Sequence, residues 1–351
     1  MYKGWAHVCS IRRVFALCTF GCGVYLTGFT WINDYDTSTC HICPRRVLCA
    51  TTPFELVMLS VSRFTAGISI PSMIIAMLSK ANNARTVVQH SSIGSSVDFE
   101  PTHKLHILYG NVFLWASVVH SLAHIWRFLA QDGGRILLDN GITRSGIVAV
   151  VLLLVSVLPM SLPWLRQKIT YEVRKGFHYL AVVALISICF HNFALSIVVV
   201  VILVVFAGDF AYFYLYGTHL IENPTYQAVG GGTCITVKLP NRYSFKAGSY
   251  AYVMCPSISS REWHAFSIIP AAGDVEENST TAGQDNVTHG NATFYVAAVG
   301  DWTKEVLSRT LQNTRMPLWI SNALPSSMEH ALDFDNVLLI ATGVGITPCI
   351  R

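Results

Sequence analysis

The sequence predicts a membrane protein: a six-helix transmembrane bundle, then an antiparallel β-barrel, then the first strand and turn of an α/β dinucleotide-binding domain. Three observations carry this. The 351 residues are 52% hydrophobic and 13% charged, with a mean hydropathy of +0.45, too apolar for an ordinary soluble chain. The apolar residues concentrate in the first 216 positions. Beyond them, short alternating segments separated by glycine turns take over.

The spans follow in order. Residues 14–32 form a charge-free run of spanning length. It follows Lys3, Arg12 and Arg13, as a signal peptide would, but it is long for one and lacks a clear small-residue cleavage site. Residues 54–78, 105–129 and 146–165 are the second, third and fourth spans. The run 177–206 is too long for one upright helix and is divided near Asn192, the sixth span continuing to about Tyr216. The expected domains are residues 1–218 in the membrane, 219–325 in the barrel and 326–351 at the start of the dinucleotide domain.

Six spans leave both termini on one side. The loops there carry Lys3, Arg12, Arg13, Lys80, Arg85, Lys104, Arg166, Lys168, Arg174 and Lys175, against Arg45, Arg46 and Arg135 opposite. The positive-inside rule places the termini and the barrel in the cytoplasm, with the spans in a plasma or organelle membrane. The net charge of +4 is modest and its clusters flank apolar runs. Membrane lipid is the implied partner, and a nucleic-acid surface is not.

Four histidines stand out within these spans. His106 and His120 are 14 residues apart in span three, and His178 and His191 are 13 apart in span five. At about 1.5 Å per residue each spacing covers about 20 Å, so two metal centres can stack across a bilayer about 30 Å thick. Both spans run outward, which pairs His106 with His178 on the inner side and His120 with His191 on the outer. Neutral imidazole is the usual axial ligand of haem iron, so the pattern points to two bis-histidine haems. A lone histidine in a span often only hydrogen-bonds a neighbouring helix, but four at matching depths suggest a common purpose. Thirteen residues put His178 and His191 about 140° apart on a regular helix, so a bend or unwinding is expected beside Asn192. His124, one turn beyond His120, is the rival outer ligand, and His103 is interfacial.

Arg63 lies inside span two. A guanidinium there needs a partner: a haem propionate, the electron acceptor, or Glu55. Cys40, Cys43 and Cys49 cluster in one loop, where a disulfide is favoured over a metal.

In the second half, Cys234-Ile-Thr-Val-Lys-Leu and Tyr250-Ala-Tyr-Val-Met read as strands, with Gly230-Gly-Gly and Lys246-Ala-Gly as turns. A polar insertion between residues 272 and 291 carries sequons at Asn278, Asn286 and Asn291, which a cytosolic barrel leaves unglycosylated. Residues 337–341 read as a buried strand, and Thr342-Gly-Val-Gly-Ile-Thr-Pro follows as a glycine-rich phosphate turn.

Together these residues resemble the ferric reductase and NADPH oxidase family of transmembrane flavocytochromes. The histidine quartet resembles the family's haem ligands. In His120-Ser-Leu-Ala-His124 the resemblance makes the first histidine the ligand, and Arg63 falls where the family carries an arginine near the haems. Arg261-Glu-Trp-His-Ala-Phe-Ser is similar to the FAD motif, which implies that His264, Phe266 and Ser267 hold the flavin in a barrel of the ferredoxin-reductase type. Val299-Gly-Asp-Trp-Thr is similar to the second flavin segment, adding Trp302 and Thr303. Gly343, Gly345, Thr347 and Pro348 resemble the opening of the NADPH domain.

The sequence departs from the family pattern at Ala265, where proline is usual, at Ala297, where a basic residue often neutralises the flavin pyrophosphate, and at Ser321-Asn-Ala-Leu-Pro, which lacks a glycine-rich loop. The chain stops at Arg351, so its NADPH site is expected to be incomplete. The resemblance implies electron transfer from NADPH through FAD and two haems to a ferric chelate outside, with superoxide production from oxygen as the alternative. A haem-binding membrane protein without its own electron source, served by a partner reductase or an oligomer, is the reading from a different class.

Overall fold

In this computed structural model the described residues are 11–33, 50, 52–89, 102–132, 134–246, 248–270, 287–288, 290–326 and 328, with single positions at 338, 341, 345 and 347. The Cys40, Cys43 and Cys49 loop, the sequons at Asn278 and Asn286, and Gly343 and Pro348 lie outside them, as does most of the expected strand 337–341. The chain divides into two compact units, Met1–Gly208 and Asp209–Arg351.

The first unit is helical. α1 (Ile11–Asn33) is followed by α2 (Pro53–Leu78) and the short α3 (Asn82–Gln89). Thr52 caps α2 by accepting from the Glu55 N–H at 3.2 Å, and Pro53 opens the helix where a missing donor costs nothing. The hydroxyls of Ser60, Ser62, Thr65, Ser69 and Ser72 all donate back to carbonyls of the preceding turn. These small polar groups thus satisfy themselves where water is absent. A Cβ on Gly67 of α2 would meet the Cys22 carbonyl of α1 at 2.6 Å, so glycine there lets the two backbones touch.

α4 (Thr102–Asp132) is the longest helix, and α5 (Arg135–Asp139) follows it. α6 (Gly141–Ser161) is capped by Asn140, whose Oδ1 accepts from the Ile142 N–H at 2.8 Å. α7 (Pro163–Lys168) and α8 (Tyr171–His178) come next, then α9 (Leu180–His191) and α10 (Phe193–Leu215). The core draws on α2, α4, α6, α9 and α10 through Met73, Leu114, Leu153, Leu185 and Val199.

Among the described residues five helical stretches are long and apolar enough to cross a membrane: Pro53–Leu78, Thr102–Gln131, Gly141–Ser161, Tyr171–His191 and Leu195–Leu215. The first expected span lies in α1, whose apolar stretch Arg13–Gly28 is shorter than that length. The fourth expected span is shifted. It starts at Gly141 and stops at Ser161, because Pro163 pushes Leu162 into extended backbone (φ −82°, ψ 122°). The expected break at Asn192 is present, with that residue extended at φ −148°. At Tyr179, between α8 and α9, the backbone stays helical (φ −66°, ψ −17°), so His178 and His191 lie on one spanning stretch, Tyr171–His191.

The described residues of the second unit form ten strands. β1 (Thr218–Ile221), β2 (Thr225–Val229), β3 (Gly232–Lys238), β4 (Phe245–Lys246), β5 (Tyr250–Met254), β6 (His264–Ser267), β7 (Ile269–Pro270), β8 (Val287–Thr288) and β9 (Asn291–Ala297) precede α11 (Asp301–Leu311) and β10 (Leu318–Ser321). Their sheet orders are β1-β10-β5-β6, β2-β3-β9-β7 and β4-β8, and every pair is antiparallel. Gly230 and Gly231, at φ +52° and +81°, form the two-residue turn that joins β2 to β3. β6 and β7 pass from one four-stranded sheet to the other across the buried Ile268, which wraps both around one core. Alternation along β9 buries Ala292, Phe294 and Val296 and turns their neighbours outward.

Candidate functional site

α4 carries both His106 and His120, while His178 and His191 end α8 and α9. The His106 and His178 rings lie 5.8 Å apart between centroids at 87°. The His120 and His191 rings lie 6.0 Å apart at 82°. These are the pairs that the span order implies.

All four rings are held in the same way. His106 Nδ1 lies 2.7 Å from the Ala76 carbonyl, His120 Nδ1 2.8 Å from that of Ser62, His191 Nδ1 2.8 Å from that of Ile142, and His178 Nδ1 3.3 Å from that of Ser156. A carbonyl only accepts, so each Nδ1 carries the proton and each Nε2 keeps a lone pair. A second hydrogen bond of this kind fixes the tautomer of a ligating histidine. The clamps repeat because the helices do. Fourteen residues separate His106 from His120, Ser62 from Ala76 on α2, and Ile142 from Ser156 on α6.

The arrangement fits haem iron. Two imidazoles bound end-on at about 2 Å from one metal place their centroids roughly 6 Å apart. Among the described residues no group of three or more His, Cys, Asp or Glu side chains is placed to hold a bare metal ion. A metal between two imidazoles would therefore bring its other donors with it, as a porphyrin does. Gly110, one turn beyond His106, has no atom within 4 Å of where a Cβ would stand, which leaves open space beside the first pair.

Gly146 is a functional position that sequence reasoning missed. A Cβ there would lie 2.7 Å from His191 Nδ1, so only glycine lets the ring seat against α6. An isolated glycine in an apolar helix is the signal that could have found it. The carbonyls of Ser62, Ala76, Ile142 and Ser156 could not have been found, since every residue has one.

Arg63 is half-buried beside Ser62, and its charge bears on His120 and His124. Its suggested alternative partner, Glu55, accepts from Gln131 Nε2 at 3.2 Å. His103 meets the Lys80 ammonium through Nδ1 at 2.9 Å.

In the barrel, His264 stacks on Trp302 at 4.3 Å and 30°, and Phe266 lies nearly parallel to the same indole at 6.1 Å and 24°. Two flavin-motif residues and one from the second segment thus form an aromatic shelf. The buried Trp302 Nε1 finds no acceptor among the described residues. Ser267 pairs with Tyr250 at the end of β6. The Thr303 hydroxyl accepts from the Val299 and Gly300 N–H groups at 3.0 and 2.9 Å, so it caps α11. Ala297 lies opposite Gly232. Gly345 and Thr347 are described only as single positions, away from any strand. Burial pushes the Cys255 thiol up to about 11, leaving it protonated in the core.

A family model for the ferric reductase like transmembrane component matches residues 64–189, and one for an FAD-binding domain matches residues 232–337. Respiratory burst oxidase homolog protein A of Solanum tuberosum is 22% identical over 348 residues, covering 80% of this chain and 34% of that protein. Ferric reduction oxidase 8, mitochondrial, of Arabidopsis thaliana is 23% identical over 291 residues, covering 72% and 35%. NADPH oxidase 1 of Mus musculus is 28% identical over 109 residues, covering 30% and 16%. The chain spans about a third of the length of the first two.

Apolar spanning helices followed by an FAD-binding domain define a multi-pass membrane flavoprotein. The chain carries a ferric reductase like transmembrane component and an FAD-binding domain, and the relatives it is similar to are NADPH oxidases and a ferric reduction oxidase.

Proposed function

We propose that this chain moves electrons across a membrane, from NADPH through FAD and two b-type haems to an acceptor on the far side, with a ferric chelate as that acceptor. The observation that carries the proposal is the fourfold clamp: each Nδ1 held by a carbonyl, and the rings paired at 5.8 and 6.0 Å. Bound haem and flavin supply the one- and two-electron chemistry.

The chain's residues supply position and charge. His106 and His178 hold the inner haem, and His120 and His191 the outer. Arg63 provides positive charge at the outer level, for a propionate or for the acceptor. His264, Phe266 and Trp302 seat the flavin with the backbone at Ser267, while Thr303 stiffens the turn before α11. Gly343, Gly345, Thr347 and Pro348 are the residues that would meet the dinucleotide phosphates. The barrel and both termini face the cytoplasm, by the distribution of lysine and arginine, and the spans lie in a plasma or organelle membrane. Glycosylation at Asn291 would reverse that orientation.

The oxidase relatives favour a second acceptor, molecular oxygen. The test starts with the purified chain and a reduced-minus-oxidised spectrum after dithionite. Two b-type haems per chain are expected, and none would overturn the reading. Ferric-chelate reduction that superoxide dismutase leaves unchanged supports the chelate, whereas its loss on adding that enzyme moves the assignment to oxygen.

A further inference from the structure

We propose that Arg127 is a positioning residue that locks His124 in the tautomer unable to bind iron, and so selects His120 as the ligand. The inference rests on the haem reading above. His120 and His124 are one helical turn apart, with ring centroids separated by 4.7 Å. Spacing alone leaves both as candidates for the partner of His191.

Their hydrogen bonds differ in sense. His120 donates from Nδ1 to the Ser62 carbonyl, which leaves Nε2 unprotonated. His124 Nδ1 instead faces Arg127 Nη2 at 3.3 Å. A guanidinium only donates and stays charged at any working pH, so Nδ1 of His124 accepts. Neutral His124 then carries its proton on Nε2. One ring nitrogen is occupied by the guanidinium and the other is protonated, so neither has a lone pair for a metal.

The lock is well seated. Arg127 is fully buried. Its guanidinium lies over the Phe128 ring at 4.7 Å, and the His124 ring stacks on the same Phe128 at 5.5 Å and 21°. A charge-assisted hydrogen bond in such low-dielectric surroundings is stronger than one at a surface. Arg127 is three residues beyond His124, a spacing at which helix side chains meet.

The experiment measures haem per chain and the low-temperature EPR of oxidised haem in the purified full chain. Wild type should hold two haems and His120→Ala one. The double variant His120→Ala/Arg127→Leu should regain a second bis-histidine haem, because Nε2 of His124 is then free to lose its proton to the other ring nitrogen. His120→Ala/Arg127→Lys should stay at one, since an ammonium also donates to Nδ1. The surviving His106–His178 haem reports in each variant that the bundle is folded. The proposal is overturned if His120→Ala alone keeps two haems, or if the Arg127→Leu double variant stays at one with the His106–His178 signal intact. Wild type lacking two haems would instead defeat the haem reading itself.

Discussion

The His106–His178 pair hangs from the carbonyls of Ala76 and Ser156, and the His120–His191 pair from those of Ser62 and Ile142. The clamp is the same, but the surroundings are not. Beside the first pair stands an exposed contact between Lys80 and His103, with open space next to Gly110. Around the second lie Arg63, a fully buried Arg127, the additional imidazole of His124, and a glycine tight against His191. One construction therefore holds both histidine pairs, and the charge and room around each distinguish them. A buried guanidinium acts on its neighbours through low dielectric, whereas an exposed ammonium is screened by water and salt.

The largest effect should come from the ligands. Alanine at His106 or His178 should remove one haem and leave the other, and alanine at His120 or His191 should do the reverse. Haem absorbance per chain would fall by about half in each case, since one of two axial ligands is lost at a single centre. Loss of both haems from any one of these variants would show that the pairs are not independent.

Gly146→Val should come next. Its side chain would displace the His191 ring from the Ile142 carbonyl, so the second haem should be depleted while the first is retained. Gly110→Ala meets no atom within 4 Å and should leave the helix packing unchanged. Thermal unfolding and haem content of the two variants test the contrast.

Ser156→Ala removes the hydroxyl that donates to the His178 carbonyl at 2.9 Å. A cost of about 1 kcal/mol should appear as faster haem loss from the first centre alone. The smallest effect expected is on potentials. Removing a positive charge makes nearby haem harder to reduce, so Arg127→Gln should lower the second centre's potential. Lys80→Gln should lower that of the first centre by less. A redox titration showing the larger drop in Lys80→Gln would contradict the screening argument.

Much of the membrane unit was legible because a polar residue inside an apolar helix is conspicuous. The spans at Pro53–Leu78 and Thr102–Gln131 lie within three residues of the runs 54–78 and 105–129. The C-terminal end of the fourth was misjudged because Pro163 acts on backbone geometry, not on hydropathy. In the barrel, β5 matches the expected strand and β3 lies within two residues of it, since alternation marks a half-buried strand. Thr303 reads the same whether it meets a cofactor or caps a helix, and only its bonds to the N–H groups of Val299 and Gly300 separate the two.

By itself the sequence determined that this chain has membrane-spanning runs, that two of them carry four spaced histidines, and that a β-rich unit follows. Long charge-free runs have few other stable surroundings, and side-chain period reports burial directly. Only the tertiary structure decided which nitrogen of each ring is protonated, why position 146 must lack a side chain, and how His120 and His124 differ. Those features depend on backbone carbonyls and on one guanidinium three residues away, and a carbonyl carries no mark of its role until folding brings a donor to it.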